Sequence, residues 1–365
     1  MNRAFSRKNK VSLRFVKRDD RIVLMELKGP GNVEFENVAT FRLADLEHDQ
    51  IALLRLLEEY QCHPNAKKLE KLVRECNRAY KNFLCAFEVE SARRWWSEVV
   101  RDRGSINAPI LELTVLDTLT IPFGLYYVGD VNADTDWNQY EVVVRGFMGV
   151  NFPIHKIYRR RMRLQTSIVA LCNDEPPRVL HSIDSSLPCA EAEADTLAGI
   201  SSHVTTPSTK PQLVKYWTDV ALPPHVVHCS CHLRKDQEKR SYLSCCTDER
   251  LYAHDLRDAE VTMPLPPFVF LNSCQGGFVT FSDRDNFIWL LFPAVASGFV
   301  ATMCEVADDM AEQMAGHFYR NFFGGAEVLL ALHEAIRTVV VDKGRLAGLA
   351  YVLWESDPHL VLGPD

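Results

Sequence analysis

The chain has 365 residues, 47% hydrophobic and 24% charged, a balance that supports one large core or two smaller ones and excludes a chain dominated by disorder. Its formal net charge of -7 argues against a general nucleic-acid binder, and the basic stretches at Arg3 to Arg18 and at Arg159, Arg160, Arg161 and Arg163 read as solvated faces. The basic opening MNRAFSRKNK has no apolar core of a secretory signal behind it, and no apolar run approaches the roughly 18 residues of a membrane helix, so neither export nor a membrane partner is expected.

The 11 cysteines are odd in number and follow no framework spacing, which fits free thiols in a reducing cytoplasm. In chain order, residues 21–43 (RIVLMELKGPGNVEFENVATFRL) alternate apolar and polar residues on both sides of Gly29-Pro30-Gly31, predicting two strands joined by a turn. From Asp49 to about Val100 the spacing becomes helical, with Leu53, Leu56, Leu57 and Tyr60 followed by Leu69, Leu72, Val73, Cys76 and Tyr80. Two amphipathic helices, hairpinned about His63-Pro64-Asn65, are expected there.

The main boundary is expected after Asp102-Arg103-Gly104. Residues 1–104 then form an N-terminal β-strand plus helical-hairpin region without an assigned role, and residues 105–365 form a second domain. ILELTVLD reads as a strand, and LTIPFGLYYVGD as a strand-like run meeting a turn at Pro122 and Gly124. Further on, apolar runs at Thr166 to Cys172, Val226 to Cys231, Phe268 to Asn272 and Phe299 to Met303 alternate with helical patterns near Ala190, Lys210, Phe287, Asp309 and Ala326. Strands separated by helices predict βαβ units, and hence an α/β fold with a mostly parallel sheet flanked by helices.

Ligands of such sheets sit beyond the carboxyl ends of the strands. Two of those ends carry chemistry. HVVHCSCHL finishes a β-branched run with His232, and FVFLNSCQGG finishes another with Cys274 ahead of Gly276 and Gly277. A histidine near a thiol can act as its base, and the glycines would let the backbone approach a substrate. The same residues also fit a buried structural cysteine and a hydrogen-bonded histidine. Cys229, Cys231, His228 and His232 with Cys245-Cys246 would be a zinc set of unusual spacing. His228 reads as a core residue or as one that orients His232. Asp308 and Asp309 read as an N-cap.

Together, HCSCHL and LNSCQGG resemble the His and Cys motifs of the CHAT-domain family of caspase-like cysteine peptidases. Further landmarks follow in order. IPFGLYY is similar to the family's "PWELLY", LPCAEAEADTLAGI to its helix "LPGAEAEAxALA", SYLSCCTDERLYAHDL to its hairpin between His and Cys, the stretch from Gly298 to Arg337 to its "GVVGSLWPVDDEAA" region, and YVLWESDPHLVL to its closing strand. The resemblance covers about residues 105–365 and implies a caspase-like fold. It also implies a cytosolic endopeptidase with a Cys-His dyad that needs no cofactor or metal and cleaves a specific protein partner. Such a protein would be triggered by a signal or regulatory partner in bacterial defence or cell death.

Carried onto this chain, Cys274 is the nucleophile and His232 its general base. The amides of Cys274 and Leu233 form the oxyanion hole. Asn272 lines the pocket for the substrate's P1 side chain, with Asp174 or Glu175 as a further contact. Apart from the resemblance, the charged run RKDQEKR (234–240) reads either as a solvated loop or as an exposed site for self-processing. Neutral Asn272 implies no preference for an acidic P1. Leu233 stands where the family carries Gly, and a side chain in a left-handed conformation there would cost about 1 to 2 kcal/mol. That departure is the feature favouring an alternative, a catalytically inactive CHAT-like interaction module whose N-terminal region docks a partner.

Overall fold

The computed structural model describes residues 9–19, 21–101, 108–115, 121–158, 176–238, 240–246, 249–257, 266–273 and 296–354. Cys274, Asp174, Glu175, the arginines at 159–163, the run at 166–172 and the helix expected from Phe287 lie outside the described residues. The chain divides into two compact units, residues 1–160 with 336–350, and residues 161–335 with 351–365.

The first unit begins with β1 (Lys10–Lys17), β2 (Ile22–Lys28) and β3 (Glu34–Arg42), followed by α1 (Leu43–Cys62), α2 (Ala66–Cys85), α3 (Glu90–Arg101), β4 (Ile110–Val115), α4 (Tyr140–Val144), α5 (Met148–Asn151) and β5 (Ile154–Tyr158). β2 pairs antiparallel with both β3 and β1; β4 then joins β1, and β5 joins β4, in parallel. The expected turn between β2 and β3 is present, with Gly31 at φ 70, in the left-handed region that glycine tolerates best.

The basic opening stretch is more than a solvated face. β1 alternates, burying Val11, Leu13 and Phe15 while Lys10 pairs with Glu112 at 2.6 Å and Arg14 with Glu26 at 2.8 Å. The period of two lets a charged sequence be half core. The turn expected at Pro122 and Gly124 is present as a 3-10 turn over residues 123–125, with Phe123 and Leu125 buried.

The helical pattern that read as two helices is three. It breaks at residues 86–88, where the Glu88 amide donates to Val38 O at 2.8 Å and the Thr40 amide to Ala86 O at 3.4 Å. Joining the edge of β3 gives those peptide groups partners that a continuous helix would have supplied otherwise. Phe83 of α2 anchors the core: its ring lies 5.3 to 5.9 Å, centre to centre, from those of Phe41, Phe87, Trp96, Phe123 and Tyr126.

The second unit runs β6 (Arg178–Ile183), α6 (Ala190–Ile200), β7 (His203–Thr205), α7 (Lys210–Trp217), β8 (Val226–Ser230), β9 (Leu233–Lys235), β10 (Ser241–Cys245), β11 (Glu249–Tyr252), α8 (Ala253–Arg257), β12 (Phe268–Asn272), β13 (Gly298–Thr302), α9 (Asp308–Phe322), α10 (Val328–Arg337) and β14 (Tyr351–Trp354). The spatial order is β7-β6-β8-β12-β13-β14, parallel throughout except for β14 against β13. β9, β10 and β11 form a separate antiparallel sheet. The α/β architecture with a mostly parallel sheet flanked by helices is therefore present.

β8, β12 and β13 are buried along their whole length, as strands covered on both faces must be. On one face, Phe268 and Phe270 of β12 pack on Phe318, Tyr319 and Phe322 of α9 with centroids 5.0 to 6.1 Å apart. α6 lies beside α9, tied by the Thr196 hydroxyl donating to Glu312 at 3.1 Å.

Candidate active site

The parallel strands β6, β8, β12 and β13 all end at the same edge of their sheet, so the residues after them gather there. β6 delivers Asp184, β8 delivers Cys231 and His232, β12 delivers Ser273, and β13 ends at Thr302. The loops are laced together by backbone. The Asp184 amide donates to Ser230 O at 2.8 Å, the Ser244 amide to His232 O at 2.8 Å, and the Cys246 amide to Ile183 O at 3.0 Å. The Thr302 hydroxyl donates to Ser273 O at 2.7 Å, fixing the last described residue before Cys274.

His232 is half-buried and lies within electrostatic reach of two carboxylates in different settings. Burial drives the Asp184 pKa up, but the Ser186 hydroxyl and amide, the Ser244 hydroxyl and the charge of His232 outweigh it and hold the group below the usual carboxylate value. Asp308 is raised by burial, against the opposing pull of His232.

Beneath this edge runs a buried polar network. His228 Nδ1 meets the Tyr319 hydroxyl at 2.9 Å, and its Nε2 meets Glu193 Oε1 at 2.8 Å and Ser230 Oγ at 3.1 Å. His181 Nε2 meets the same Ser230 hydroxyl at 2.8 Å. Both ring nitrogens of His228 are thus engaged within the core, and its hydrogen bonds run to Tyr319, Glu193 and Ser230, not to His232.

Asn272 belongs to the same network. Its side-chain amide donates to Glu193 Oε1 and, at 2.9 Å, to Ala311 O, while its carbonyl oxygen accepts from the Tyr351 hydroxyl at 2.6 Å. Both amide protons are therefore used inside the fold. Asn272 lines a small space of about 20 Å³ together with Leu187, Cys189, Val306 and Asp308. Asp308 and Asp309 occupy the first turn of α9, with Ala307 at the N-cap position and no side-chain cap bond. Their charges complement the helix N-terminus instead of capping it.

Leu233 opens β9, paired opposite Leu243. The described non-glycine residues with positive φ are Asn32, Asn37 and Cys246, so the Leu233 backbone bears no left-handed strain. Cys229, Cys231, Cys245 and Cys246 are buried near one another, with burial and the neighbouring Cys229 pushing the Cys231 thiol up. Among the described residues, no group of three or more His, Cys, Asp or Glu side chains is arranged to hold a metal ion. No helix among them is long and apolar enough to cross a membrane.

Asp184 and Glu193 escaped the sequence reading. DSS after a strand reads as an ordinary turn, although an Asp followed two residues later by Ser marks an Asx-turn. Glu193 looks like one more surface acid of an alanine-rich helix.

The arrangement of strands and helices is the fold of caspase-like cysteine peptidases. In the separase-securin complex of Saccharomyces cerevisiae, the match covers 95% of this chain and 30% of that one, with a TM-score of 0.52 at 8% identity. The chain is thus similar to under a third of that protein's length. Gingipain R, the Arg-specific cysteine proteinase RgpB whose pro- and mature domains were solved from Porphyromonas gingivalis, matches over 73% of this chain and 69% of that one, with a TM-score of 0.45 at 10% identity. No curated protein matches by sequence. The CHAT-domain family model matches residues 159–354, more than half of the chain. The protein belongs to the CHAT-domain family.

Proposed function

We propose that this protein is a cysteine endopeptidase in which His232 is the general base and Cys274 the nucleophile. The observation that carries the reading is the placement of His232. It is held by backbone at the carboxyl edge of the sheet where β12 ends at Asn272 and is followed by Ser273, one residue before Cys274 in sequence. In this reading His232 takes the thiol proton, and the thiolate attacks the scissile carbonyl. The amides of Cys274 and Leu233 receive the oxyanion, and His232 returns the proton to the leaving amine. Water, activated by the same imidazole, then releases the acyl group. The extended, unstrained backbone at Leu233 supports activity despite the missing glycine.

Asp308, beside Asn272 and close to His232, would repel an acidic P1 residue and attract a basic one. The fine polar contact at P1 passes from Asn272, whose amide protons are engaged, to Asp308. A protein substrate, an activating signal or partner, a cytoplasmic setting and a defence or cell-death role rest on the family resemblance.

The test is intact-mass labelling of the full-length protein with a panel of peptidyl acyloxymethyl ketones, beside Cys274→Ala and His232→Ala. One adduct on Cys274, absent from both variants, is the expected result. Adducts spread over other cysteines, or labelling indifferent to His232→Ala, would refute the dyad. A fully unlabelled wild type would instead favour an interaction module.

A further inference from the structure

We infer that Asp184 is the positioning residue of His232, holding the imidazole in one tautomer and stabilising the imidazolium that forms when the base takes a proton; the role in catalysis rests on the peptidase reading above. Asp184 closes β6 and is 2% exposed. One carboxylate oxygen is saturated, with Oδ1 accepting from the Ser186 amide at 3.0 Å and the Ser186 hydroxyl at 2.7 Å. The other, Oδ2, is buried and, among the described residues, has no partner at normal hydrogen-bond distance; the Ser244 hydroxyl is near enough to favour the charged carboxylate.

A buried carboxylate oxygen left open costs free energy unless some state of the protein uses it. The cation whose charge reaches Asp184 is His232. The two are locked in register by backbone: the Asp184 amide is bonded to Ser230 O two residues before His232, and Ser244, beside the carboxylate, donates its amide to His232 O.

When the thiol proton of Cys274 passes to one ring nitrogen of His232, the other ring nitrogen keeps its hydrogen and donates it to Asp184 Oδ2. Asp184 itself stays ionised, and no proton leaves the pair. Among the described residues, the carboxylates on which the charge of His232 acts include Asp184 at the end of β6 and Asp308 at the start of α9. Asp308 is the more exposed of the two and lines the small space beside Asn272. Asp184, pinned by Ser186 and sealed from solvent, is the one built to orient.

The experiment uses full-length protein with labelled histidine, the His232 signals being identified by their loss in His232→Gln. Ring nitrogen shifts are recorded at fixed pH for wild type, Asp184→Asn, Asp184→Glu and Ser186→Ala, alongside the rate of Cys274 alkylation by an acyloxymethyl ketone. The expected result is a single tautomer in wild type and Ser186→Ala, a mixed or reversed tautomer in Asp184→Asn, and partial recovery in Asp184→Glu. Alkylation should fall by about 100-fold in Asp184→Asn and by less than about 3-fold in Ser186→Ala, which leaves the carboxylate in place.

A His232 tautomer indifferent to Asp184→Asn overturns the inference, as does a Ser186→Ala defect equal to that of Asp184→Asn, which would show the carboxylate to be only a turn-former. If the tautomer follows Asp184 while Cys274 never labels, the positioning stands and it is the peptidase reading that fails.

Discussion

His181 is fully buried, and burial together with the neighbouring His228 lowers its pKa to about 3. In the unfolded chain it titrates near 6.5. Between these values the unfolded state binds a proton that the folded state refuses, so stability falls as pH drops from about 6.5 toward about 3, with a slope approaching 1.4 kcal/mol per pH unit from this residue. Glu193 acts in the same direction. Burial raises its pKa, but the charge of His228 and bonds from His228 and Ser230 lower it below the ordinary value, and a depressed carboxylate loses its stabilisation as pH falls through its folded value. Urea unfolding between pH 7 and 4 should therefore show a steadily falling midpoint, and His181→Gln should flatten part of that fall. Truncating Glu193 to Ala leaves His228 and the Asn272 amide without their buried partner, for an expected loss of about 3 kcal/mol or more. Beside Asn272, Asp308→Asn should relax discrimination against acidic P1 residues. In a peptide library, the ratio of P1 Arg to P1 Asp cleavage should narrow by about tenfold, as the loss of one charge interaction with the P1 side chain implies; an unchanged ratio would move P1 recognition elsewhere.

Phe270 shows what single elements contribute. Its ring touches those of His228, Phe318, Tyr319 and Tyr351 at centroid distances of 5.0 to 6.0 Å, so β12 is clamped between β8, α9 and β14 two residues before Asn272. Phe270→Ala should cost about 3 to 5 kcal/mol in chemical denaturation, and, if Cys274 is the nucleophile as proposed, Cys274 alkylation should fall further than the folded fraction. In the first unit, the Asn65 side chain caps α2 by accepting from the Lys68 amide at 3.0 Å. Asn65→Ala should cost about 1 kcal/mol, visible as a lower melting temperature without a change in thiol reactivity. The His63-Pro64-Asn65 turn was legible in sequence because cap and breaker residues act locally. The end of α2 was not, because the partner that draws residues 86–88 out of the helix is β3, more than 40 positions earlier.

For the molecule as a whole, the first compact unit continues to residue 160 and takes back residues 336–350. A fragment of residues 105–365 would leave β4 without β1, its parallel partner, and expose Phe123 and Tyr126, which rest on Phe83. Such a fragment should aggregate or unfold without a sharp transition, while the full chain melts cooperatively; a fragment with a melting curve like that of the intact protein would contradict this. By itself, the sequence determined the turn at Gly29 to Gly31, the α1-α2 hairpin, the buried runs of β8, β12 and β13 and the helices α6, α7 and α9, because period, caps and turn residues act within a few positions. Its motifs also sufficed to indicate the family. Only the tertiary structure decided that Asn272 faces Glu193 and Tyr351, each 79 positions away, that His228 serves the core, that Leu233 is unstrained, and that the loops after β6 and β8 carrying Asp184 and His232 are tied at one sheet edge. Those pairings follow from how strands and helices distant in sequence are packed side by side, and packing set by the whole sheet leaves no local mark on the chain.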